Sequence, residues 1–211
     1  LVSRSFDRSP EIQRFMGGLR VADPETYDAL RTKFTKLATR SDVSDLELMN
    51  AFRSEVQVLL MLKLPSAPDD QLDAFAELLL VQLKEYETNN PNLCVKALKQ
   101  EPLGDVRPFL SKESQDREIS LMNDILGNPK SAAINFDHTA CDHLLTTVAE
   151  VLYEKHGEDL ALLDPMSDFT GKDSKVCQLS ADFYGTVLSQ PKPNSTNILR
   201  CLFSQKAPLQ N

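Results

Sequence analysis

Apolar residues in this chain recur at spacings of three and four almost from end to end, and nowhere do β-branched residues alternate with polar ones over a useful length. That pattern commits the chain to helices, each with one apolar stripe to bury. The expected fold class is all-α: a single helical domain over residues 1–211, with about seven to eight helices arranged as antiparallel αα-hairpins. The one plausible sub-boundary is the irregular stretch near 101–111, which contains Pro102, Gly104 and Pro108. It would separate an N-terminal helical half from a C-terminal half holding Cys141, Cys177 and Cys201.

Local punctuation supplies the helix limits. Ser9-Pro10-Glu11 and Asp23-Pro24-Glu25 each pair a capping side chain with proline at the first helical position. Ile12, Phe15, Met16 and Leu19 form the first stripe, and Gly17-Gly18 is expected to weaken the end of that helix. Tyr27, Leu30, Phe34 and Leu37 mark the second, and Leu46, Met49, Phe52, Val56 and Leu60 the third. Segments 56–64 and 78–83 are apolar on nearly every side, which makes this pair the expected centre of the fold. Further helices are expected over 114–126, closed by Gly127, and from an Asp137 cap to His156, closed by Gly157. The last two are expected over 174–190 and 194–204. Pro65, Pro129 and Pro191 each end a helix in a similar apolar setting, a faint internal echo that independent proline-ended helices explain equally well.

Charge removes whole classes of function. A net charge of −8 disfavours nucleic acid and anionic membrane as partners, because both need clustered Lys and Arg. No stretch approaches the roughly 20 apolar residues that span a bilayer. The chain starts at Leu1, as after removal of a signal peptide or lipoprotein anchor, or after trimming, so a membrane tether upstream of Leu1 is compatible with it.

Four cysteines, Cys94, Cys141, Cys177 and Cys201, are disulfide candidates, with reduced core thiols as the alternative. Four allow three pairings. The expected one joins Cys177 to Cys201 across the short Pro191–Pro193 link and leaves Cys94 with Cys141. Counted from that link, Cys177 and Cys201 are offset by roughly 9 Å along the hairpin, whereas bridged Cα atoms must approach within about 7 Å. That pairing therefore requires unwinding near Cys177 or a tilted crossing.

Candidate chemistry concentrates at Asp137-His138-Thr139-Ala140-Cys141-Asp142-His143. His138, Cys141 and Asp142 share a helical face and offer a transition metal N, S and O ligands, yet a structural zinc site wants a fourth. Capping by Asp137 and core packing or a disulfide at Cys141 explain the same residues without a metal. A Cys–His nucleophile built from Cys141 or Cys177 with His143 or His156 needs an exposed electropositive setting that an acidic chain does not supply. Thr170-Gly171-Lys172-Asp173-Ser174 lacks the leading glycine and strand of a phosphate loop, and Asp164, Asp168 and Asp173 lack calcium-loop spacing. No catalytic residue and no cofactor is expected. Asn194-Ser195-Thr196 matches a glycosylation sequon expected to be exposed, with Asn194 also suited to capping a helix.

Three function classes remain. The first is an extracytoplasmic (periplasmic or secreted) helical protein–protein interaction protein, of inhibitor, immunity or envelope-adaptor type, with a cytoplasmic setting as the alternative. Its expected partner is a protein, basic in character. The contact is placed on the acidic loop 158–173, where Glu158, Asp159, Asp164 and Asp168 surround Met166 and Phe169. Phe169 serves there as an anchor or folds back into the core. The second class is an apolar-ligand (lipid) binding module between segments 56–64 and 78–83, and the third a metal-dependent enzyme centred on His138, Cys141 and Asp142.

Overall fold

In the computed structural model, which describes residues 10–40, 42–127 and 138–205, every regular element is helical. Nine α-helices are present among the described residues: α1 Pro10–Ala22, α2 Pro24–Ala38, α3 Asp45–Lys63, α4 Asp69–Asn89, α5 Asn92–Leu98, α6 Lys112–Leu126, α7 His138–His156, α8 Asp173–Ser189 and α9 Asn194–Gln205. Short 3-10 turns occupy Leu64–Ser66, Arg107–Phe109 and Gly157–Leu163. The all-α class is as the periodicity dictates. The Asp137 cap and the Pro129 member of the proline echo lie outside the described residues.

Two units divide the chain, one of residues 1–71, 118–134 and 203–211, the other of residues 72–117 and 135–202. In the first, α1 packs against α2 and α2 against α3. The expected stripe of α1 is buried at all four positions, Ile12, Phe15, Met16 and Leu19. Phe52 stands edge-on between Phe15 and Phe34, with ring centroids 5.8 and 5.2 Å apart, an arrangement that sets ring edges against ring faces. Asp23 caps α2 by accepting from the Thr26 amide (3.1 Å) and hydroxyl (2.8 Å). The Lys63 ammonium at the end of α3 donates to that carboxylate (3.0 Å) and to the Leu126 carbonyl (2.7 Å), so one cation serves two helix ends.

Gly17-Gly18 does not end α1, which runs on to Ala22. The reason is a close approach: a Cβ on Gly18 would lie 2.6 Å from the Asn123 side chain of α6. The glycine admits a neighbouring helix, which offsets its poor helix propensity. Gly127 behaves alike, since a Cβ there would collide with Ala22 and the Asn123 carbonyl. Helix α3 opens on a capping box, in which the Glu47 amide donates to Ser44 Oγ (3.3 Å) and the Ser44 amide donates to Glu47 Oε2 (2.8 Å).

The core of the second unit gathers Leu83, Tyr86, Leu93, Val95, Leu110, Leu162, Phe169, Val176 and Leu179 with the sulfurs of Cys94 and Cys177. Stretch 101–111 lies within this unit and is stitched into it. Asn89 Nδ2 donates to the Phe109 carbonyl (2.9 Å), and Gln115 Nε2 donates to the carbonyls of Arg107 and Leu110, each 3.0 Å away.

The apolar segments 56–64 and 78–83 fall in different units. Val56, Leu60 and Leu64 are buried residues of the first, and Leu78 and Leu83 are buried residues of the second. Each segment has one buried stripe and one outward one: Val58, Leu62 and Val81 are 37%, 38% and 39% exposed. An apolar run longer than its helix face requires leaves the remainder on the surface, as is ordinary for folded chains.

Candidate functional site

Both disulfides lie in the second unit. Helix α5 packs on the first turns of α8, bringing Cys94 to Cys177 with Cα atoms 5.2 Å apart. Cys141 near the start of α7 is bonded to Cys201 of α9, Cα to Cα 5.8 Å. All four side chains are buried. The expected pairing of Cys177 with Cys201 and Cys94 with Cys141 is thus overturned. The offset along the α8–α9 hairpin is not removed by unwinding; instead each cysteine meets a helix distant in sequence, across 83 and 60 residues. With Cys141 in a disulfide, the His138/Cys141/Asp142 set has no thiolate to give a metal. Asp142 and His143 point to solvent, and the His138 side chain lies outside the described residues. No group of three or more His, Cys, Asp or Glu among the described residues is placed to hold a metal ion.

His156, at the end of α7 and 8% exposed, donates from Nε2 to Asp182 Oδ2 of α8 at 2.8 Å. Lys155 reaches the same oxygen at 2.7 Å. Gly157 follows at φ +57°, the left-handed residue that closes α7. Burial pushes the Asp182 carboxyl up, but the Lys155 and His156 bonds outweigh it and hold the group below the usual carboxylate range. At Asp23 burial is likewise outweighed, by the Thr26 amide, Lys63 and the Thr26 hydroxyl. Both carboxyls are depressed by folding, so their contribution is full above the unfolded value of about 3.9 and is lost as pH falls through the lower folded values. A series of melting temperatures from about pH 5 downward should therefore drop steeply below about pH 4. Asp23→Asn with Asp182→Asn should lower the plateau and flatten that slope; an unchanged slope would remove these two groups from the acid limb.

The segment expected as an acidic loop is more ordered than its composition indicates. Gly157–Leu163 is a 3-10 turn. Asp159 pairs with Lys175 at 3.1 Å. Asp164 Oδ1 accepts from the Met166 amide (2.9 Å), and Asp168 Oδ1 accepts from the Thr170 amide (3.0 Å) and hydroxyl (2.8 Å). These contacts hold the Asp168 carboxyl below its ordinary range, with the Thr170 amide the larger cause. Glu158, Asp159, Asp164, Met166 and Asp168 are exposed, and Met166 reaches 89%.

Phe169 points the other way. It is buried in the core of the second unit, with the Lys99 ammonium 4.9 Å above its ring centre. Of its two expected placements, anchor or core, the ring takes the second: with Leu162, Val176 and Leu179 at hand, it buries more apolar area inward than a loop could offer it. Phe169→Ala should lower stability by about 3 kcal/mol, read as a shift of the denaturation midpoint. A change under about 0.5 kcal/mol would return Phe169 to the surface.

Residues 194–196 also depart from expectation. Asn194 is the first residue of α9 and half-buried, while Ser195 and Thr196 are buried and the Thr196 hydroxyl donates to the Pro193 carbonyl (3.1 Å). The motif is thus the buried opening turn of a helix rather than an exposed link.

Aromatic exposure was the signal the composition hid. Tyr153 on the outward side of α7 is 58% exposed, with Val151 at 46%. The formal charge is equally uneven: the second unit carries 18 acidic and 11 basic residues, −7 of the chain's −8. No protein-family model, no curated protein and no solved structure matches the chain.

Proposed function

We propose that this chain is an extracytoplasmic helical protein that works by binding a basic protein partner, as an inhibitor, an immunity-type protein or an envelope adaptor does. The two buried disulfides carry the reading, because bridges of this kind form and persist where thiols are kept oxidised. The charge of the second unit supports the choice of partner, since an acidic surface steers a basic one and repels nucleic acid. Met166 supplies exposed apolar area in the acidic segment, and Tyr153 on α7 an exposed aromatic side chain of the kind that anchors interfaces.

Two measurements in the source cells test this. Thiols trapped by rapid alkylation should prove fully oxidised, and photo-crosslinkers at positions 166 and 153 should capture a basic protein in a salt-sensitive manner. A crosslinker at Val21, 85% exposed in the first unit, is the control. Reduced thiols would overturn the compartment; a crosslinking pattern identical at position 21 would overturn the surface.

A further inference from the structure

Met166 presents its thioether to solvent from a fixed backbone. Its amide donates to Asp164 Oδ1 at 2.9 Å, the Ser167 amide to the Asp164 carbonyl at 3.0 Å, and the Ser167 hydroxyl to the Ala161 carbonyl at 2.5 Å. A hydrogen-bonded turn thus holds an unbranched apolar side chain 89% exposed, where it contributes nothing to either core. Met16, by contrast, is 9% exposed within the first unit's core, and Met61 and Met122 are half-buried. Access to the sulfur governs its oxidation, and the product replaces an apolar group with a polar, chiral one.

We propose that Met166 is a modification site for two-electron oxidants of the hydroperoxide class. The sulfur lone pair attacks the distal oxygen, an S–O bond forms as the O–O bond breaks, and hydrogen peroxide leaves as water while the thioether becomes a sulfoxide. The change rewrites the surface of segment 158–173 and leaves the packing untouched. Methionine sulfoxide reductases reverse it. The inference does not depend on the partner reading above.

Peroxide titration of the intact, disulfide-bonded chain, followed by peptide mass spectrometry, tests it. Met166 should oxidise about tenfold faster than Met16, in proportion to exposures of 89% and 9%. The singly oxidised protein should melt at the unmodified temperature, and Met166→Leu should abolish the fast phase while leaving the slower ones. Oxidation of Met61 or Met122 as fast as that of Met166, a fast phase persisting in Met166→Leu, or a melting temperature that falls with the first oxygen added would each overturn the proposal.

Discussion

Peptide mapping of the unreduced protein should join Cys94 to Cys177 and Cys141 to Cys201, and alanine at either pair should cost stability on a scale few substitutions reach. Closing loops of 83 and 60 residues removes chain entropy from the unfolded state worth about 4–5 kcal/mol for each bridge taken alone. The difference between the two loops amounts to only about 0.3 kcal/mol, so loop length does not rank them. Burial does not rank them either, since Cys94, Cys177, Cys141 and Cys201 are all 3% exposed or less. The Cys94/Cys177 and Cys141/Cys201 double variants should therefore lose comparable amounts. The loops overlap, so losing both bridges should cost less than twice the figure for one bridge taken alone, yet more than the sum of the losses of the two double variants. Since folded domains are stable by only about 5–15 kcal/mol, full reduction should bring the second unit near its unfolding threshold at ambient temperature. A mapped Cys177–Cys201 peptide, or a melting temperature indifferent to reductant, would refute this account.

Leu78→Asp should unfold the second unit, whereas Leu79→Asp should be tolerated far better. Leu78 is 2% exposed in the buried stripe of α4 with Leu72, Phe75 and Leu83; Leu79 lies 100° further round and is half-buried. An aspartate in place of Leu78 is left unpaired in an apolar setting and loses the leucine packing, which together exceed about 4 kcal/mol. At position 79 the carboxylate can turn to water. Circular dichroism melts of the two variants check the register of α4, and equal losses would show that the stripe has been assigned to the wrong face.

What the sequence made legible follows from which forces are local. The proline and aspartate starts of α1 and α2, the stripe of Ile12, Phe15, Met16 and Leu19, and the limits of α8 and α9 are set by residues within a turn or two of one another. The capping box Ser44-Asp45-Leu46-Glu47 was equally local and fixes the start of α3 a few residues after Asp42. Gly18 misled because its purpose is the approach of Asn123, about a hundred residues away, which no window around Gly17 contains. Phe169 stays open between anchor and core in the sequence because a single aromatic residue between helices has no stripe to declare which way it faces. The cysteine pairing was illegible for the same reason at larger scale, since it depends on which helices pack together. Of the candidate site, the exposure of Met166 and the acidic charge around it could be read in advance; the turns that consume Asp164 and Asp168 could not.

The order of the four cysteines has one more consequence, which concerns nicking by proteases. The bridges interlace: the loop from Cys94 to Cys177 and the loop from Cys141 to Cys201 share residues 141–177. Any single backbone cut between residues 94 and 201 therefore falls inside at least one closed loop, and a cut within 158–173 falls inside both. The fragments stay in one covalent piece until reductant is added. Had neighbours in sequence been joined, a single cut in that exposed acidic segment would have split the chain in two. A protein bearing this pattern can be cleaved in that stretch and still migrate as an intact molecule without reductant.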